Sequence, residues 1–325
     1  NISISEQNLN TFKFNWNGTN YTYYDDSLLL AMNFDNISAI GENPTKAVDL
    51  SRYGNNGTLM NNPAWTTGGK WNGALNFTNN YVDTNIITAP GAKTMSYWVK
   101  YATVSTGDFQ LQGIQEIGKY FYDGILNGGQ GYSYAGDTGG GYNFNFVANR
   151  WYHVVMTMDG SGTGAGNTRH YVDGALVDTQ AYASDAVSQY DFYIGKLHGS
   201  VLAYPFNAVI DEFKIYNRTL SAAEVAQQYQ VNLYKYGSTQ WYFLANQNNM
   251  NNGTYSYSAW ANNTAGGASQ TEARIVTTGA LSALVNLHSP INGATFNSQS
   301  PVILNWTPSS FASDPTCNAT VNNMP

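Results

Sequence analysis

The carboxylates that could hydrolyse a glycosidic bond are few in this chain. That chemistry needs two carboxylates that face one sugar, usually from one strand. The strand pattern Glu-x-Asp-x-x-Glu does not occur, and Glu116 is followed by Lys119 and Asp123 at a different spacing. The sequence therefore predicts a protein without catalytic activity.

The histidines do not form a recognisable catalytic or zinc site. They are scattered along the chain: His153, His170, His198 and His288. A Ser-His-Asp arrangement could recruit Asp159 or Asp173, but the chain has no nucleophile elbow. No two histidines have the spacing of zinc ligands. We expect histidines that are hydrogen-bonded locally within strands.

Tyrosines offer a different chemistry, the binding of carbohydrate. Tyrosine rings stack on sugar faces, and their hydroxyls bond sugar hydroxyls. The candidates lie in a glycine-rich stretch, where Gly128-Gly129 and Gly139-Gly140-Gly141 suggest loops: Tyr120, Tyr122, Tyr132, Tyr134 and Tyr142. The same residues would also suit an ordinary surface or a subunit interface. The sequence leaves both interpretations open.

Acceptors for N-glycosylation suggest a secreted protein. The motif Asn-x-Ser/Thr occurs at Asn1, Asn17, Asn20, Asn36, Asn56, Asn76, Asn217, Asn252, Asn262, Asn305 and Asn318. No such motif lies between Asn76 and Asn217. If the other sites carry glycans, the middle of the chain forms a bare surface that is free to bind. The alternative is that this gap reflects buried strands.

Composition excludes some partners. Only 11% of the residues are charged, the net charge is −7, and there is no basic patch, so we expect no nucleic-acid partner. No apolar run reaches the length of about 18 residues that spans a bilayer, and no signal peptide is visible. We expect a mature extracellular product or a fragment of a longer protein.

Cys317 is the single cysteine of the chain and cannot form an intrachain disulfide. It is either a small, partly buried residue or the partner of a cysteine on another subunit or beyond residue 325.

Strands must position these residues, because alternating apolar patterns dominate the chain. Trp151 to Met158 and His170 to Val172 are typical of strands that each stop at Asp-Gly, and Ile210 to Tyr216 is typical of another. A short helix is predicted over residues 221–229, where Ser221 and Glu224 have the spacing of a capping box.

These segments together resemble the LamG-like (laminin G type 3, concanavalin A-like) jelly roll, over residues 27–230. The resemblance implies an all-β sandwich that binds glycans or holds structures together. It also implies one structural Ca²⁺ near the junction of the first and last strands, at Asp35 and Asp211. Oxygen ligands of this kind suit Ca²⁺. Alternatively, the two aspartates cap turns by accepting hydrogen bonds from backbone amides.

The flanking segments indicate a host domain that the jelly roll interrupts. Residues 11–24 are typical of a hairpin with Asn17-Gly18 at its tip, which suits a type I′ turn. Residues 253–263 resemble a late strand of an Ig-like domain. Three strands after residue 231 are too few for a sandwich. We therefore predict a split Ig-like domain of residues 1–26 and 231–280.

Residues 281–325 resemble the opening strands of a further, partial Ig-like domain. Half a sandwich leaves unpaired edges, so another subunit could supply strands by β-augmentation. We therefore expect a non-catalytic extracellular structural or adhesive protein that self-associates head to tail into a filament or surface layer. The alternatives are a carbohydrate-binding adhesin or lectin, and an accessory module of a secreted glycoside hydrolase.

Overall fold

The computed structural model describes residues 1–107, 109–116, 119–199, 206–248, 250–278, 285–289 and 305–308. Contacts divide the chain into two compact units. One comprises Asn1–Asn249 with Tyr255–Val276, and the other comprises Met250–Thr254 with Thr277–Pro325. The predicted all-β class is confirmed.

The first unit begins with three strands that precede the jelly roll: β1 (Ile2–Ser5), β2 (Leu9–Trp16) and β3 (Thr19–Tyr24). The turn between β2 and β3 has positive φ at Asn17 (49°) and Gly18 (85°), which confirms the predicted type I′ hairpin.

The strands of the jelly roll follow in chain order. They are β4 (Leu28–Met32), β5 (Lys46–Ala47), β6 (Gly57–Met60), β7 (Ala64–Thr66), β8 (Ala74–Thr78), β9 (Tyr81–Asp83), β10 (Lys93–Tyr101), β11 (Phe109–Ile114), β12 (Tyr120–Leu126), β13 (Gln130–Gly136), β14 (Thr138–Asn145), β15 (Tyr152–Met158), β16 (Gly166–Val172), β17 (Ala175–Tyr182), β18 (Tyr193–Ile194), β19 (Leu197–His198) and β20 (Asn207–Tyr216). A 3₁₀ turn spans Ser38–Ile40.

These strands form three sheets. The largest has the order β17-β16-β15-β10-β20-β8-β7, with β4 also on β20. The others are β14-β13-β12-β11-β19 and β18-β9-β6-β5. Met95, Tyr97 and Val99 of β10 lie together in the core, as their alternation predicts.

The helix α1 (Ala222–Gln228) follows β20 and is stabilised at its N-terminus by the predicted capping box. The Ser221 side chain accepts a hydrogen bond from the Glu224 backbone, and the Glu224 side chain accepts one from the Ser221 backbone. Val225 is buried in a hydrophobic cluster that also contains Val155 and Tyr216.

The remaining strands lie after the helix. They are β21 (Val231–Lys235), β22 (Gln240–Ala245), β23 (Gly253–Asn263), β24 (Ala268–Gln270), β25 (Arg274–Thr278), β26 (Val285–Ser289) and β27 (Asn305–Pro308). In the second unit, β26 pairs with β27 in antiparallel fashion. The predictions for Cys317, Asn318 and the rest of the partial domain fall outside the described residues.

The N-terminal strands and the strands after the helix join in two sheets, β1-β22-β21 and β24-β23-β2-β3. Phe14 pairs with Ala259 across β2 and β23, so segments far apart in sequence share one sheet. We call these two sheets the host sandwich. The split-domain boundaries and the Ig-like assignment remain an interpretation of the sequence.

One hydrophobic cluster connects the host sandwich to the outer face of the jelly roll. It contains Phe14 and Phe243 of the host sandwich together with Val155, Tyr171 and Tyr216 of the jelly roll. The host sandwich and the jelly roll therefore form a single compact unit.

Phe243 is the side chain whose loss should weaken this unit most directly. Its ring lies 4.9 Å from that of Phe12, 5.0 Å from Phe14 and 5.2 Å from Tyr23, measured between centroids. We expect Phe243→Ala to lower the free energy of unfolding by about 3–5 kcal/mol, because it leaves a cavity in a packed aromatic core. Denaturant unfolding measures this, with the exposed Tyr236→Ala as the control. A loss below about 1 kcal/mol would contradict the packing role.

Candidate functional site

Four tyrosines lie together on the outward side of two neighbouring strands. In β12, Phe121 and Ile125 point into the core, so Tyr120 and Tyr122 face the opposite way. Tyr132 and Tyr134 of β13 join them, because Tyr134 lies directly opposite Tyr122 in the sheet. We call Tyr120, Tyr122, Tyr132 and Tyr134 the tyrosine face.

The rings of the tyrosine face contact one another. Tyr122 and Tyr134 are stacked, with centroids 5.3 Å apart and planes at 27°. Tyr120 meets Tyr134 edge to face at 5.0 Å, and Tyr132 lies 5.8 Å from Tyr134. Tyr122 is buried beneath its neighbours, while the other three rings are half-buried. Such cross-strand aromatic contacts hold the rings in fixed positions.

The glycine-rich first half of β14 borders this face. Gly139 and Gly141 of β14 lie opposite Tyr134 and Tyr132. A Cβ atom on Gly139 would approach the Tyr134 ring to 2.4 Å, so only glycine fits here. The glycine-rich pattern suggests loops in this region, and the structure corrects this: the glycines of β14 and the tyrosines lie in paired strands.

Tyr142 does not belong to the tyrosine face, which corrects its prediction as a glycan contact. Alternation in β14 turns it to the core, where it is 1% exposed. Its ring stacks on His170 with centroids 4.4 Å apart.

The two predicted calcium ligands lie where β20 changes its edge partner. β20 pairs with β8 up to Ile210 and with β4 from Phe213 onward. After Asp211, which is still in register with Trp98, Glu212 and Phe213 form a bulge opposite Tyr97 of β10, and Glu212 has a positive φ of 52°. Asp35 follows β4 at the same junction.

Both aspartates bind the backbone of the loop that precedes β8. The Trp71 N–H donates to Asp211 Oδ2 at 2.9 Å, and the Gly73 N–H donates to Asp35 Oδ1 at 2.9 Å. Asn33 Nδ2 donates to Asp35 Oδ2 at 2.6 Å. These are hydrogen bonds from backbone amides, of the kind that the alternative to calcium binding predicts.

The carboxylates at this junction repel one another. Burial, together with the nearby Glu212 carboxylate, raises the pKa of Asp35 to about 7. The same two causes raise the pKa of Asp211 well above its usual value. Lys214 Nζ compensates part of this charge through Glu212 Oε2, at 2.9 Å. A cluster of neighbouring carboxylates favours the binding of a cation, because the cation would reduce their mutual repulsion.

The donor atoms also suit calcium in kind. Asp211 Oδ1 and Asn33 Oδ1 are buried and have no hydrogen-bond partner within the described structure. Carboxylate and amide oxygens are the ligands that Ca²⁺ prefers. Within the same residues, however, no group of three or more histidine, cysteine, aspartate or glutamate side chains is arranged to hold a metal. A cation here would need amide and backbone oxygens besides Asp211 and Asp35.

The buried histidines bond serines rather than carboxylates. His153 Nε2 lies 3.0 Å from Ser96 Oγ, and His170 Nε2 lies 2.6 Å from Ser133 Oγ. Burial lowers the pKa of His153 to about 3 and that of His170 to about 4. The rings are therefore neutral and enclosed.

The carboxylates considered as catalytic candidates have partners other than the histidine rings. Asp159 pairs with Arg169 and Asp173 with Arg150. Glu116 accepts from the Gln189 backbone and the Ser188 hydroxyl, and Asp123 is buried with the Tyr97 hydroxyl donating to it at 2.7 Å. His198 Nδ1 lies 2.9 Å from the Asp191 carbonyl oxygen.

The predicted glycosylation acceptors mostly lie on the surface. Asn1, Asn17, Asn20, Asn36, Asn56, Asn217 and Asn252 are exposed, and Asn76 and Asn262 are half-buried. The side chains of Asn305 and Asn318 fall outside the described residues. The Asn56 side chain accepts a hydrogen bond from the Asp49 backbone, so its amide already holds a turn.

The comparisons with known proteins identify the jelly roll. Residues 67–226 match the family described as the concanavalin A-like lectin/glucanases superfamily, laminin G 3. No curated protein matches the chain at a significant level.

No helix in the described residues has the length and apolar character that crossing a membrane requires.

Several solved structures are similar to this chain at low identity. The binding domain of paraclostridial mosquitocidal protein 1 is 16% identical, with a TM-score of 0.48, over 63% of this chain and 52% of its own. Domain 4 of AbnA, an extracellular arabinanase from Geobacillus stearothermophilus solved with arabinotriose, has the same identity, TM-score and share of this chain, and 98% of that domain is covered. The botulinum neurotoxin serotype D binding domain is 15% identical, with a TM-score of 0.47, over 63% and 51% of the two chains. The matches thus span about half of each toxin chain.

The fold is that of an all-β protein built around a jelly-roll sandwich. Residues 67–226 form a concanavalin A-like domain of the laminin G 3 family, which confirms the resemblance seen in the sequence.

The neutral state of His170 makes a testable contribution to stability. Its pKa of about 4 in the folded protein is below the value of about 6.5 in an unfolded chain. Its contribution is complete above pH 6.5 and is lost as the pH falls through 4, because the unfolded state then binds the proton more tightly. We expect the advantage of the wild type over His170→Gln to shrink by up to about 3 kcal/mol between pH 7 and pH 4 in denaturant unfolding. A stability difference that stays constant with pH would refute this.

Proposed function

We propose that this chain is a non-catalytic extracellular binding protein whose jelly-roll domain recognises carbohydrate through the tyrosine face. The observation that carries the proposal is the grouping of four tyrosine rings on one outward sheet surface, beside Gly139 and Gly141 of β14.

The chemistry of this face suits a polyhydroxylated, uncharged ligand. Tyr120, Tyr132 and Tyr134 are half-buried, so part of each ring is open to solvent. An aromatic ring packs against the C–H groups of a sugar, and the phenol hydroxyl hydrogen-bonds its hydroxyls. The lack of a Cβ atom at Gly139 leaves room for the Tyr134 ring, and at Gly141 it leaves room for the Gln130 side chain.

The tyrosine face would also remain free of attached glycans in a secreted protein. It lies within the stretch between Asn76 and Asn217, which has no glycosylation motif. Glycans on the other motifs would leave this stretch of sequence unmodified. The proposal is therefore compatible with a secreted glycoprotein that acts in adhesion.

Tyr134→Ala should weaken carbohydrate binding. Tyr134 contacts three other rings of the face, so its removal deletes one stacking surface and loosens the others. After a glycan array has identified the sugar bound by the wild type, we expect the dissociation constant to rise about 3- to 10-fold in calorimetry.

The matched control is Tyr53→Ala, which removes an exposed tyrosine that is not part of the face. It should bind as the wild type does. The proposal fails if the wild type binds no sugar on the array, or if both variants lose binding equally.

We further propose that Ca²⁺ binds at the Asp35–Asp211 junction and stabilises the fold. The support is the buried, unpartnered Asp211 Oδ1 and the mutual repulsion of the carboxylates there. A bound cation would neutralise this charge and tie the Trp71–Gly73 loop to β20.

Calcium at a hundredfold excess over its dissociation constant should stabilise the wild type by about 2.7 kcal/mol. Asp211→Asn should abolish this response, because the amide can still accept from Trp71 but carries no charge. Thermal unfolding with and without a chelator measures the effect, and the exposed Asp26→Asn is the control. An Asp211→Asn variant that still responds to calcium as the wild type does would place the ion elsewhere.

A second candidate function is that of a structural or adhesive subunit that self-associates into a cell-surface filament or layer by strand complementation. The favouring observation is that the strands β1 and β24 each have one neighbour in the described sheets, so one edge of each remains open. An accessory module of a secreted glycoside hydrolase would use the same tyrosine face, and would require catalytic sequence outside these residues.

A further inference from the structure

A groove of about 420 Å³ opens between the two sheets of the host sandwich. It is lined by Ile2 and Ile4 of β1, by residues of β24, and by Phe12 and Ala261. β1 is an edge of the sheet β1-β22-β21, and β24 is an edge of the sheet β24-β23-β2-β3. The groove therefore lies between two strand edges that face the same opening.

The open edge of β1 presents backbone groups in a regular order. The Glu6 N–H donates to the Thr239 carbonyl in the ladder with β22. Because the direction of hydrogen bonding alternates along an antiparallel strand, the backbone groups of Ser3 and Ser5 point away from β22. The side chains of Ile2 and Ile4 are half-buried and pack against the host core.

This edge lacks the devices that usually prevent strand addition. Native edges are commonly protected by charged side chains, proline or bulges. β1 has the sequence Ile-Ser-Ile-Ser in regular register with β22, and β24 has the sequence Ala-Ser-Gln. An added strand would complete the ladder of β1 and insert alternate side chains into the groove.

We propose that the groove accepts a β-strand from a second copy of the chain, namely the segment Cys317–Val321. This inference rests on the assembly role, the second of the two proposed functions, and assigns it an acceptor site and a donor.

The chemistry of the groove selects this donor. Glu6 is the charged residue among those that line the groove, and its carboxylate already accepts from the Asn8 backbone and from Asn263 Nδ2. The groove therefore suits an uncharged strand, since an added charge would be buried without a partner.

The segment Cys-Asn-Ala-Thr-Val meets these requirements in sequence. It carries no charge, and it alternates small apolar residues (Cys317, Ala319, Val321) with polar ones. The lining of the groove includes the small residues Ala259 and Ala261. The segment has five residues, one more than β1.

Donation from copy to copy uses two different surfaces of the chain. Contacts of this kind are heterologous, so they continue into an open filament unless a rotation closes them into a ring. The groove would thus define the polarity of the assembly.

A cysteine introduced into the groove tests both the site and the donor. Cys317 is the only native cysteine, so the Ile4→Cys variant can form a disulfide only with Cys317 or with another introduced cysteine. We expect disulfide-linked multimers on non-reducing gels. Mass spectrometry of a mixture of isotopically labelled and unlabelled chains should find the introduced cysteine joined to Cys317 of a different chain. Thr138→Cys on the exposed start of β14 is the control and should give no such linked peptide.

The backbone of the open edge is tested by Ser3→Pro, which removes the N–H that would pair with the donor. Ser3→Val retains the N–H and serves as the matched control. In sedimentation at a series of concentrations, we expect Ser3→Pro to weaken self-association about tenfold and Ser3→Val to leave it unchanged.

Three outcomes would overturn the inference: a wild type that is monomeric throughout the concentration series, a disulfide from the Ile4→Cys position to Cys317 of the same chain, or a Ser3→Pro variant that associates like the wild type. The carbohydrate proposal is distinguishable from this one, because monomeric variants can still be tested for sugar binding at the tyrosine face.

Discussion

The bulge at Glu212 and Phe213 is the local feature on which both faces of the central strand β20 depend. Side chains alternate along a strand, so Ile210 and Phe213, three residues apart, would normally face opposite sides. One extra residue in the bulge turns both into the jelly-roll core. The positive φ of Glu212 accommodates that extra residue. The hydrogen-bond ladder of β20 is interrupted at this point. Without that interruption, the apolar residues on the two sides of the bulge would not all face the same core.

The bulge also determines what covers the outer side of the sheet. Glu212, Lys214 and Tyr216 point toward the host sandwich, where they adjoin Val231 and Trp241. A buried carboxylate is costly unless it is paired, and Lys214 supplies the partner. Although burial acts to lower the pKa of Lys214, the Glu212 carboxylate raises it, so the lysine stays charged. This pair lets a polar strand face be covered by a second sandwich.

Local signals in the sequence are sufficient for features that one short segment determines. Asn17-Gly18 identifies a hairpin, and Ser221 with Glu224 identifies a helix start, because each satisfies its own backbone. The strands around the tyrosine face are harder to predict because their glycines lower strand propensity. Their stability comes from ring contacts such as that between Tyr122 and Tyr134, which sequence order does not reveal. The prediction for Tyr142 is wrong for the same reason, since the direction of its side chain follows only once β14 is known to be a strand.

The tyrosine face is an unusual sheet surface because it combines exposed aromatic rings with neighbouring glycines. Tyr120, Tyr132 and Tyr134 are half-buried on an outward sheet face and expose apolar area that threonine or serine would not. The glycines beside them forgo side-chain packing and carry an entropic penalty of their own. Gly139 cannot be replaced without displacing Tyr134. Gly139 therefore lowers the intrinsic stability of its strand but lets the Tyr134 ring pack closely, which helps to fix the positions of the rings in the tyrosine face.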